Sequence, residues 1–218
     1  MTRNIDMTEE NTPTLYTTLG GEGCDEFEER RSLFIGHAKH VESEEEAAEY
    51  VKKLKKEYSD ATHNCWAYVL KGGIVARYSD DGEPQGTAGM PILDVIRKSG
   101  VNDAVVVVTR YFGGILLGAG GLVRAYSHGA KIALDAAKII TYEQYAELSL
   151  ECSYSDYQKY NVLLPTFAAI IDGTDFADKV TVRFAIKETR VAELCEKIQE
   201  MSGGRDSVEV VGKRFDYR

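Results

Sequence analysis

Several features are missing from this chain, and each absence narrows what it can be. The longest non-polar run, Gly113 to Val123, is rich in glycine and far short of the roughly 20 apolar residues that a spanning helix needs. No membrane contact is expected. The opening MTRNIDMTEENT has no apolar core of the kind a secretory signal requires, so a cytoplasmic location is expected. Cysteine is sparse and dispersed: Cys24, Cys65, Cys152 and Cys195 form no C-x-x-C. Zinc ribbons and thioredoxin-type pairs therefore lose their spacing argument, and four reduced, mostly buried thiols are expected. No internal repeat, low-complexity segment or disordered linker is evident.

An excess of positive charge is also lacking. The 218 residues carry 26 Lys plus Arg against 35 Asp plus Glu, a net charge of −9. All of that excess lies in residues 1–50, which hold 4 basic and 13 acidic side chains; the remainder holds 22 of each. A general nucleic-acid coat protein relies on Lys and Arg to displace counterions, so that class is disfavoured, although a local basic site on the neutral remainder is not.

What is present is an ordinary globular composition, with 44% apolar residues and length for one or two domains. Arg31 to Val41 reads as a strand, and Ser43-Glu44-Glu45-Glu46 opens a helix to about Tyr58 as a capping box. His63 to Lys71 and Ile74 to Ser79 are strands separated by Gly72-Gly73. A polar turn, Asp80 to Gly86, leads to a short helix over Pro91 to Lys98 and a buried strand, Ala104 to Thr109. The loop Gly113 to Gly121 then feeds a helix from about Leu122 to Ala137. After Lys138 the pattern restarts: a strand (Ala146–Cys152), a helix (Tyr154–Leu164), strands over Thr166–Ile171 and Lys179–Lys187 around the turn Asp172-Gly173, a helix (Thr189–Met201) and a strand (Ser207–Lys213). The order β-α-β-β-α-β is that of a ferredoxin-like unit. The reading is α+β with two domains, 1–141 and 142–218.

The densest chemistry lies between His63 and Tyr126. Gly113, Gly114, Gly118, Gly120 and Gly121 supply backbone that a ligand can approach closely, ending at a helix N-terminus that favours anions. Arg110 and Arg124 flank them. The recognised fingerprints fail, however: a dinucleotide motif read from Gly118 meets Val123, and a P-loop read from Gly113 meets Ala119 where Lys is needed. A tight strand-to-helix connection explains the glycines equally well. Asp80, Asp81 and Glu83 could act as a base or hold Mg²⁺, against the simpler view that they build a turn. His63 could pair with one of them, and Thr87 lies in the same segment. Arg110-Tyr111-Phe112 puts a cation beside two aromatics, an arrangement suited to stacking on bases or to closing a core. His37 and His40 point to opposite faces of a strand, so no shared metal is expected. Lys52 to Lys56 form the most basic run, read as a solvated helix face. Among the basic residues of the second domain, Arg183, Lys187, Arg205 and Lys213 would support RNA binding only if they converge, and the RRM aromatic signature is absent.

SDDGEPQGTAGMPIL (Ser79 to Leu93) and VVTRYFGGILLGAGGLVRAY (Val107 to Tyr126) closely resemble the signature of the YigZ/IMPACT family. Ser32 to Gly36 and Asp60 to Cys65 are similar to its other segments, and residues 146–214 look like the C-terminal domain of its bacterial members. Leu116 stands where Lys is common, which removes a positive charge beside the anion site. The resemblance implies an N-terminal domain like the second domain of ribosomal protein S5. The C-terminal domain would be ferredoxin-like and similar to domain V of elongation factor G. It implies a translational setting, because eukaryotic relatives regulate initiation, but no established reaction. The expectation is a binding protein for RNA, the ribosome or a translation-related protein, using the surface of Asp80–Gly89, Arg110–Gly121 and Arg124, with no cofactor or metal. The alternative is an enzyme of a small phosphorylated or nucleotide substrate at the Gly-rich loop.

Overall fold

The computed structural model describes residues 15–217. The opening residues, on which the expectation about a secretory signal rests, lie outside that range. The described residues divide into two compact units, Tyr16–Thr141 and, together with Leu15, the residues from Tyr142 onward. Among the described residues there are five α-helices and two antiparallel sheets, a mixed α+β arrangement. No described helix is long and apolar enough to cross a membrane.

The least polar strand, β6 (Ala104–Tyr111), organises the first unit. Its alternation sends Ala104, Val106 and Val108 into a core with α2 (Gly89–Lys98) and α3 (Gly118–Ala137), and Val105 and Val107 into a second core with α1 (Glu44–Glu57). A strand apolar on both faces needs cover on both. Val105 to Val108 are each fully buried, and such burial contributes about 1.5–3 kcal/mol per side chain. Around β6 the sheet order is β2 (Glu22–Glu29), β3 (Ser32–His40), β6, β4 (His63–Leu70), β5 (Val75–Ser79). A short strand, β1 (Leu15–Leu19), precedes them in the chain but is not part of this sheet.

Local chemistry sets the helix ends. Ser43 caps α1 by accepting the Glu46 N–H at 3.1 Å, while the Glu46 carboxylate accepts the Glu42 N–H at 2.9 Å. The reciprocal bond of the expected capping box thus reaches one residue further back. α2 begins at Gly89, so Pro91 sits in its first turn, where a missing N–H breaks no helical bond.

Two parts of the first unit depart from expectation. β2 escapes a pattern reading because it is an edge strand with exposed acids, burying only Gly23 fully. The Gly-rich segment is also shorter as a loop than its composition suggests. α3 starts at Gly118, so Gly118, Gly120 and Gly121 belong to its first turn.

The second unit is built from β7 (Ile139–Cys152), α4 (Tyr154–Thr166), β8 (Ile170–Phe176), β9 (Val180–Lys187), α5 (Val191–Ser202) and β10 (Val208–Asp216). The division between the units falls within β7. Strand order β10-β7-β9-β8, with these pairs all antiparallel, is ferredoxin-like, and β1 joins the same five-stranded sheet beside β7. Alternate residues of β7 and β9, such as Leu148, Leu150, Val182 and Phe184, pack with Leu194 and Ile198 of α5. α5 stops at Gly203, which is left-handed with φ 64°. The expected turn at Asp172-Gly173 is wrong: those residues lie inside β8, at a register shift between Ile171 and Gly173. A bulge and a turn use the same residue types. Thr166 ends α4 rather than opening a strand.

Candidate functional site

The polar residues of the first unit collect at the ends of β4 and β6, beside the turn that precedes α2. Arg110, near the end of β6, is buried, and its Nη1 donates to Glu83 Oε1 at 2.6 Å. The same oxygen accepts the Tyr126 hydroxyl of α3 at 2.8 Å. Arg110 also reaches Ser32 Oγ at 3.4 Å and lies 5.4 Å from the ring centres of both Phe34 and Phe112. Its Nε has no hydrogen-bond partner among the described residues. Burial first, then Cys65 and Glu83, push the Tyr126 hydroxyl upward in pKa, which keeps it a proton donor to the carboxylate. Burial likewise pushes the Cys65 thiol up, and the thiol donates to the Asp80 carbonyl at 3.0 Å.

The neighbouring acids shape the turn. The Asp80 carboxylate accepts the backbone N–H groups of Gly86 at 2.9 Å, Ala88 at 3.1 Å and Gly89 at 2.8 Å. It therefore satisfies donors at the start of α2 that no helical carbonyl can reach. Asp81 accepts the Asn64 N–H at 2.7 Å and pairs with Lys55. His63 Nδ1 lies 2.8 Å from the Asp81 carbonyl; a carbonyl only accepts, so the proton sits on Nδ1. His63 Nε2 is then 4.0 Å from Glu83 Oε1. Thr87 donates to the Pro84 carbonyl at 2.6 Å.

The structure thus brings together His63, Asp80, Asp81, Glu83, Thr87 and Arg110, but largely as a set that satisfies its own hydrogen bonds. Tyr111 stands apart at the surface, donating to Asp60 at 2.8 Å. Arg124 is exposed and does not join Arg110. Tyr126, Ser32, Cys65 and Asn64 were missed by sequence reasoning. Only Tyr126 carried a signal: a tyrosine in an apolar helical stripe buries a hydroxyl that must find a partner.

The loop between β6 and α3 is held from below. Gly113 lies so close to the β2–β3 hairpin that a Cβ there would sit 1.9 Å from the Arg31 carbonyl oxygen. The hairpin turns through Arg30 and Arg31, both left-handed at φ 47° and 63°, a conformation usually left to Asn and Gly. Above this clasp Phe112, Ile115 and Leu116 are exposed, Leu116 to 80%. Alongside runs a groove of about 470 Å³ lined by Glu28, Glu29, Arg30, Leu117, Arg124 and His128, among others. Glu28 and Glu29 of the N-terminal stretch therefore stand beside the Gly-rich segment and share this groove with Arg124.

In the second unit the basic residues diverge. Arg183 alternates with the core residues Val182 and Phe184, and Lys187 follows the core residue Ile186, so both face away from the helices. Arg205, beyond α5, bonds Ser202 and Asp156 instead. Each of the four has a carboxylate partner: Arg183–Asp175, Lys187–Glu143, Arg205–Asp156 and Lys213–Glu188. The thiols also depart from expectation: Cys65 and Cys152 are buried, Cys195 is intermediate and Cys24 is exposed on the edge strand β2. Among the described residues no cluster of three or more metal-ligating side chains occurs.

Comparison with known proteins follows this division. Residues 30–134 match the model of the Impact N-terminal domain, and residues 150–205 match a domain of unknown function, DUF1949. The chain is 34% identical to IMPACT family member YvyE of Bacillus subtilis over 194 residues, covering 88% of this chain and 89% of that protein. It is 37% identical to IMPACT family member YigZ of Escherichia coli over 178 residues, covering 80% and 87%. A crystal structure of a hypothetical protein superposes with a TM-score of 0.57 at 32% identity, covering 92% of this chain and 98% of that one.

Proposed function

The chain belongs to the IMPACT family, and on that premise we propose that it is a cytosolic binding protein linked to translation or its regulation. Its contact would be made by the β6–α3 loop and the groove beside it. The observation that carries this reading is how the motif's polar groups are spent: Arg110, Glu83, Tyr126 and Asp80 hold one another and the turn. What the motif offers outward is Phe112, Ile115 and Leu116, beside a rim of both charge signs. An apolar patch with a mixed rim favours a protein surface, such as a translation factor or ribosomal protein, over bare RNA. The S5 domain 2-like reading of residues 1–141 and the elongation factor G domain V reading of residues 142–218 belong to the same proposal. So does the expectation that neither a cofactor nor a metal is used.

Co-sedimentation with purified ribosomes, at low and high salt, tests it. Leu116→Asp should abolish binding while leaving the thermal melt unchanged. RNA oligonucleotide affinity that falls steeply with salt and disappears in Arg124→Ala would favour RNA instead. Thermal stabilisation by a nucleotide with Mg²⁺, lost in Asp81→Asn, would favour the enzyme of a small phosphorylated substrate.

A further inference from the structure

On the face of the sheet opposite α2 and α3, a second groove of about 340 Å³ lies between α1 and β4. Its floor is Trp66 and Tyr68, two positions apart on β4 and therefore on one face, with rings stacked at 5.7 Å. Its helix wall includes Val51, Lys52 and Lys55 of α1. Arg77 of β5 stands directly across from Tyr68 in the strand register. β5 is the outermost strand in the order β2-β3-β6-β4-β5, so its far edge has no strand partner among the described residues. Ile74, just before it, is 85% exposed, and Tyr78 within it is exposed as well.

We propose that this groove and the free edge of β5 form a docking site for an extended, acidic segment of a partner protein. The segment would add as a strand to β5 and seat an apolar side chain on Trp66. An exposed strand edge offers alternating N–H and C=O groups, which a peptide backbone matches and a nucleic acid does not. Charge complementarity sets the sign. Lys52 makes no ion pair among the described residues, and the Trp66 indole N–H makes no hydrogen bond among them. Arg77 lies 4.0 Å from Glu44 at 61% side-chain exposure, and the Glu44 carboxylate is itself held by the Tyr68 hydroxyl, which donates to it at 2.7 Å. Lys55 is already held by Asp81. One free lysine, one loosely held arginine and one indole donor suit a few carboxylates and are too little for a polyphosphate strand. The site shares no residue with the β6–α3 loop, so it stands or falls independently of the function proposed above.

Trp66 is the chain's one tryptophan, which makes its emission a direct reporter of occupancy. The probes are a capped heptapeptide alternating glutamate with phenylalanine or valine, its lysine-for-glutamate counterpart, the acidic peptide N-methylated at alternate residues, and a ten-nucleotide oligouridylate. The acidic peptide should produce a saturable blue shift of Trp66 emission, weakened about tenfold in Lys52→Glu and in Arg77→Glu. The N-methylated and basic peptides should give no shift. An absent shift with the acidic peptide up to about 1 mM, or an equal one with the lysine peptide or the oligouridylate, overturns the proposal. Undiminished binding of the N-methylated peptide overturns the strand addition. The peptide comparisons use the unaltered chain and so do not depend on any variant folding.

Discussion

Arg110→Met is the most direct perturbation of the buried cluster. The side chains of Arg110 and Glu83 are 6% and 3% exposed, and their contact is 2.6 Å. Methionine can still pack between Phe34 and Phe112, but it leaves the Glu83 carboxylate with the Tyr126 hydroxyl as its close donor. Removing one member of a buried ion pair costs about 3–5 kcal/mol, because the remaining charge has lost water without gaining a counter-charge. Glu83→Gln strands the guanidinium in the same way, with a loss in the same range. The double variant removes both charges and should lose less than either single one, since neither ion is then desolvated. With a urea dependence of about 2 kcal/mol per molar, a loss of about 4 kcal/mol lowers the unfolding midpoint by about 2 M. Trp66 lies on β4 in the same unit as the pair, so its emission follows that unit alone. Additive losses in the double variant, or Arg110→Met within about 1 kcal/mol of the parent, would refute the reasoning.

Gly113→Ala should cost about 1–3 kcal/mol in a thermal melt, since its Cβ would meet the Arg31 carbonyl at 1.9 Å. Gly114→Ala, at φ 83° with open space around it, should cost only about 1 kcal/mol; equal losses would argue against the clasp. Asp80→Ala removes the acceptor of three backbone N–H groups and should destabilise by about 1–3 kcal/mol. Asp80→Asn, which keeps an acceptor oxygen, should cost less by the same melt. Burial pushes His37 below its ordinary value of 6.5, so the native state resists a proton that the unfolded chain accepts. Its contribution to stability is therefore complete above pH 6.5 and is lost as pH falls through that value toward the folded one. Urea midpoints measured across this window should decline in the parent and flatten in His37→Gln; parallel declines would exclude His37 as the cause.

Much of the architecture was legible in the sequence, for physical reasons that differ from element to element. Val105 to Val108 announce a strand buried on both faces, because apolar side chains at period two leave neither side wet. Ser43 with Glu46 announces α1 through capping chemistry that is local to a single turn. β2 was not legible: five acids on an edge strand look like a solvated loop, and only pairing with β3 makes them a strand. Asp172-Gly173 was misleading because a bulge and a turn call for the same residues.

The candidate site divides in the same manner. His63, Asp80, Glu83 and Arg110 stood out by residue type, and the family signature around them was readable from order alone. Only the tertiary structure decided that Arg110 belongs to Glu83 rather than to a ligand, that Tyr126 completes the cluster, and that Glu28 and Glu29 stand beside the Gly-rich segment. Charge and hydrogen-bonding capacity are properties of a residue and can be read along the chain. Which partner meets each group depends on distance and burial, and those arise only when strands far apart in sequence come together in one sheet.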